Sequence, residues 1–80
     1  MDKKAALNNI FNKVLELNLK GHNLVFGMNH RSVDVFDPEK FQNTGVGRVA
    51  DYVYFNSKYN YTNISFEKRY NELMEELNKY

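Results

Sequence analysis

Eighty residues with no cysteine exclude a disulfide scaffold and thiolate metal sites, and 11 basic against 10 acidic side chains leave a net charge of only +1. That balance argues against a protein whose affinity comes from neutralising phosphates, and against a strongly acidic mimic of nucleic acid. The charge is also spread out, with +2, 0 and −1 on residues 1–36, 37–64 and 65–80.

Residues 3–19 carry the first clear pattern. Leu7, Ile10, Phe11, Val14 and Leu15 follow the i, i+3, i+4, i+7, i+8 spacing of one helical face, with Lys4, Asn9, Asn12, Lys13 and Glu16 mostly elsewhere. Gly21 stands where such a helix would end. The following stretch, NLVFGMNHRSVDVF (23–36), reads as a β-hairpin. Leu24-Val25-Phe26 is a short apolar run, Asn29-His30-Arg31 is turn-compatible, and Val33-Asp34-Val35 alternates. Val33 and Val35 are expected to face the helix, with Ser32 and Asp34 outward. Asp37-Pro38 closes the strand and can open a short helical turn through Phe41.

The third element, residues 46–56, fits two templates. Val46, Val49, Ala50, Val53 and Tyr54 lie on one helical face, whereas a strand would align Val49, Val53 and Phe55 but set Asp51 beside them. Val53-Tyr54-Phe55 has strong β propensity, yet periodicity is the primary signal and favours the helix. Ser65 can cap a C-terminal helix with Phe66, Tyr70, Leu73, Met74 and Leu77 on one stripe. The expectation is one α+β domain spanning 1–80: an N-terminal amphipathic helix, a hairpin, the third element and a C-terminal helix.

Six tyrosines and six phenylalanines in so short a chain exceed what one small core hides, and the excess rings raise the question of a partner. They concentrate in YFNSKYNYTN (54–63). Tyr54 and Phe55 are assigned to the core. Tyr59 and Tyr61, with Lys58 beside them, are the candidate partner-binding residues, because tyrosine buries a large rigid ring while its hydroxyl stays wet. His30 and Arg31 at the hairpin tip join them, Arg31 being suited to bidentate carboxylate or phosphate pairing.

Other motifs carry less. TGVGR (44–48) lacks the lysine and spacing of a phosphate loop and reads as helix-entry glycines. His22 and His30 have no dependable third metal ligand. Asp34, Asp37 and Glu39 read as an exposed edge and a helix cap, and no serine stands with a positioned histidine. Catalytic, cofactor-binding and metal-ligating residues are therefore assigned as none. Asn60-Tyr61-Thr62 and Asn63-Ile64-Ser65 match the N-glycosylation pattern, but twelve asparagines make such matches by chance. No unbroken apolar run suits export or a membrane span, so a cytoplasmic location is expected.

The functional expectation is a small non-enzymatic module that binds another protein as a stoichiometric inhibitor, adaptor or regulator. Small accessory proteins of phages and other mobile elements share this profile. The alternatives are a nucleic-acid-binding regulator and a structural homo-oligomer. Of partners, a foreign protein and a second copy of the chain are expected, and neither nucleic acid nor membrane.

Overall fold

The computed structural model describes residues 1–56, 58 and 65–80. Its elements are α1 (Lys3–Leu19), β1 (Val25–Met28), β2 (Ser32–Phe36), α2 (Pro38–Thr44), β3 (Val53–Tyr54) and α3 (Phe66–Leu77). The three strands form one antiparallel sheet in the order β1-β2-β3, so β2 is central and β1 is an edge. The mixed α+β reading therefore holds, with helix, hairpin, short third element and helix in the expected order.

Local signals set each boundary. Asp2 caps α1 by accepting from Lys4 N–H and Ala5 N–H, and Gly21, at φ 108°, turns the chain out of it. The Asn18 amide then ties α1 to the hairpin. It donates to Leu24 O and accepts from Leu24 N–H, both at 2.8 Å. At the tip, Asn29 Oδ1 accepts from Arg31 N–H and Ser32 N–H, which satisfies the turn without a left-handed residue. Asp37 caps α2, Gly45 ends it in the left-handed region, and Ser65 Oγ caps α3 through Lys68 N–H.

One apolar core follows. Ile10, Val14 and Leu17 of α1, Leu73 and Leu77 of α3, and Val33, Val35 and Val53 of the sheet pack together with Leu24 and Val49. Both long helices thus cover the same sheet face. Phe66, Tyr70 and Met74 complete the α3 stripe at the margin of this cluster, as the sequence predicts.

Three expectations change. The α1 stripe is displaced. Its buried face is Ala6, Ile10, Val14 and Leu17, while Phe11 and Leu15 are exposed. Residues 46–56 do not form the favoured helix. Arg48 bridges Phe36, and β3 then pairs Val53 with Val33 and Tyr54 with Ser32, two residues out of step with that bridge. The strand is interrupted by a bulge, which sets Val53 rather than Asp51 opposite Val33 and throws Asp51 outward to Arg69, while Val49 and Val53 stay buried in the core. This four-residue spacing is what imitates a helix. The TGVGR glycines do not open a helix either: Gly45 closes α2, and Gly47 lies under the Phe36 ring.

Candidate interaction surface

Alternation along β2 sends Val33 and Val35 into the core and Ser32, Asp34 and Phe36 to the opposite face. Ser32 is nonetheless buried, because Asn29 and the neighbouring Tyr54 strand close over it. The register places Tyr54 on this face, so of the two rings assigned to the core only Phe55 packs against it. The bridge between Phe36 and Arg48 puts Arg48 here as well.

These residues organise one another. The Arg48 guanidinium carbon stands 4.0 Å from the Tyr52 ring centroid, and its Nη2 donates to Tyr52 Oη at 3.0 Å. Tyr52 and Tyr54 lie 6.1 Å apart, and Phe36 meets Phe41 at 5.7 Å. Arg48 Nε is 4.0 Å from Asp34 Oδ2. Partial burial pushes the Asp34 carboxyl above its ordinary value, and Arg48 pulls it back. A groove of about 370 Å³ runs between Asp34, Phe36, Phe41, Val46, Arg48 and Tyr52. Phe41 and Val46 on its rim are both more than half exposed.

The hairpin tip continues this face at one end. Phe55 N–H donates to Arg31 O at 3.0 Å, and Asn56 Nδ2 reaches His30 O at 3.5 Å. Asn56 Oδ1 accepts in turn from Lys58 N–H at 3.2 Å. The structure therefore brings His30, Arg31 and Lys58, all exposed, to one end of the sheet. Tyr59 and Tyr61 lie outside the described residues. Sequence reasoning missed Arg48, Tyr52 and Phe41. No local signal pairs the first two, because their contact depends on how the strand around residues 48–54 is interrupted.

Elsewhere, Tyr80 Oη donates to Asp37 Oδ2 at 2.5 Å, and the His22 ring meets Tyr80 edge to face at 5.3 Å. The hydrogen bond from Tyr80 holds the Asp37 carboxyl below its ordinary range, while burial and that same bond push the Tyr80 hydroxyl well up. Among the described residues no three His, Asp or Glu side chains group as a metal site, and no helix is long and apolar enough to cross a membrane.

Comparison with protein-family models, with curated proteins and with solved structures finds no match to this chain.

Proposed function

We propose that this protein is a non-enzymatic binding module, acting stoichiometrically on another protein as an inhibitor, adaptor or regulator. The observation that carries the reading is the composition of the sheet face that the long helices leave uncovered. There Arg48 is stacked on Tyr52, with Tyr54, Phe36 and Phe41 around it. Arginine and tyrosine are the side chains that most often anchor protein interfaces, and rings already held by neighbours lose little entropy on binding.

Charge selects the partner's chemistry. Arg48 in the groove, with Arg31 and Lys58 at the hairpin end, favours a protein surface that presents carboxylates next to apolar side chains. Asp34 is the carboxylate in the groove's lining, and with Arg48 Nε 4.0 Å away the pair is close to neutral, so the positive field comes mainly from Arg31 and Lys58 at the hairpin end. Tyr59 and Tyr61 remain part of the proposed contact on sequence grounds. The cytoplasmic location and the phage or mobile-element setting also belong to this proposal, supported by composition alone.

Affinity capture from a lysate of the source organism, or of its host, followed by mass spectrometry tests the reading. It expects a protein retained at one equivalent and released by high salt only in part. Tight duplex-DNA binding with a steep salt slope would instead support the nucleic-acid regulator.

A further inference from the structure

We infer that the protein forms a two-fold dimer in which β1 of one copy pairs with β1 of a second, at the edge of the sheet opposite β3. The edge itself is the first ground. Asn29 N–H bonds Ser32 O, so in an antiparallel ladder the Gly27–Asp34 and Val25–Phe36 pairs are the hydrogen-bonded ones. The backbone N–H and C=O groups of Phe26 and Met28 therefore point away from β2. Among the described residues no strand pairs with them. Exposed edges are usually blunted by lysine, proline or a bulge, and Val25-Phe26-Gly27-Met28 has none of these.

The second ground is the apolar surface on the helix side of the same edge. Phe11, Leu15 and Leu19 recur every four residues along α1, on positions the core does not use. Phe11 meets Phe26 edge to face at 5.7 Å, and a groove of about 430 Å³ runs along Lys4, Leu7, Phe11, Phe26, Met28 and Phe55. Its charged rim is Lys3 and Lys4, and Lys3 is engaged by Phe55 O at 3.0 Å.

A second copy fits both features at once. Antiparallel pairing centred on Gly27 lets Phe26 exchange both backbone bonds with Met28 of the second copy, and the reverse, with their side chains opposed on the helix face. Only Gly27 meets itself on the axis, where a side chain would confront its own image. The same rotation brings the two α1 stripes side by side, as an isologous interface requires. Phe11, Leu15, Leu19, Val25 and Met28 stay 46–79% exposed. With the bare strand edge they are of the right order for a standard interface of about 800 Å² per partner, roughly a seventh of the chain's 5326 Å².

Sedimentation equilibrium on the full chain across micromolar concentrations tests this, with two variants. Met28→Pro removes an outward N–H without removing a β1–β2 bond. Leu15→Glu charges the stripe at an exposed position. The wild type is expected at twice the chain mass. Met28→Pro should be monomeric with an unchanged far-ultraviolet circular dichroism spectrum, and Leu15→Glu should raise the dissociation constant at least tenfold. Should Met28→Pro fail to fold, Leu15→Glu alone decides. A wild type at one chain's mass throughout, or a dimer indifferent to Leu15→Glu, overturns the inference.

Discussion

The edge of the Phe36 ring occupies the space in which a side chain on Gly47 would stand. A Cβ built there falls less than 3.0 Å from three ring carbons. The backbone cannot easily yield, since Gly47 O accepts from Asp37 N–H at 2.7 Å and Val49 N–H bonds Val35 O at 2.9 Å. Gly47→Ala is therefore expected to destabilise by about 1–3 kcal/mol, the range of overpacked sites. Gly45→Ala meets no atom but sits at φ 76°, and should cost about 1 kcal/mol in backbone strain. Urea melts of both variants check the order. Equal losses would mean that Phe36 moves aside freely.

The core makes a second prediction. Ile10 and Leu73 are fully buried between α1, α3 and the sheet, so Ile10→Ala or Leu73→Ala should each lose about 2–5 kcal/mol. Phe55 packs at the margin and is half-buried, so Phe55→Ala should fall clearly below the about 3–5 kcal/mol of a buried phenylalanine. Thermal melts of the three variants rank them. A Phe55 loss matching that of Leu73 would make that ring part of the centre.

The three capped helices and the hairpin are legible in the sequence because their signals are local. Asp2, Asp37 and Ser65 accept the backbone bonds their positions imply, and Asn29 closes the tip. What misleads is width and interruption. Phe11 and Leu15 belong to the apolar pattern of α1, but the core covers the Ala6–Ile10–Val14–Leu17 side with Leu7 at its margin, and periodicity cannot say which part is covered. Near β3, a regular strand would set Asp51 on the same face as Val49 and Val53, and the two extra residues that remove it from that face carry no local signature. The site follows the same division. Arg31 is readable as a residue of the hairpin turn, and Lys58 stands out beside the rings of residues 54–63. Pairing Arg48 with Tyr52 depends on where the bulge falls, so no local signal announces the joint surface.

Acid and base should act on the Asp37–Tyr80 contact from opposite ends. Asp37 is held low, so its contribution is present above the ordinary carboxylate range and is lost as pH falls through its lowered folded value. Tyr80 is held high, so its contribution is present below about 10 and is lost as pH rises beyond it. Tyr80→Phe should cost about 1 kcal/mol at neutral pH, the size of a partly wet hydrogen bond. The gap to wild type should shrink below about pH 4 and above about pH 10, as melts across pH would show. A gap constant with pH would mean the bond contributes nothing.

The central claim is that the Arg48–Tyr52 face recognises another protein. Isothermal titration of the captured partner into wild type and into Arg48→Ala/Tyr52→Ala tests it most directly, with melting curves establishing that both are folded. Anchors of this kind commonly cost about 2 kcal/mol or more each when truncated, so the double variant should bind at least about thirtyfold more weakly. Asn71→Ala, at an exposed position on α3 away from that face and from the β1 edge, should leave the affinity for this partner within about twofold, as surface changes usually do. Undiminished binding by a folded Arg48→Ala/Tyr52→Ala would contradict the account.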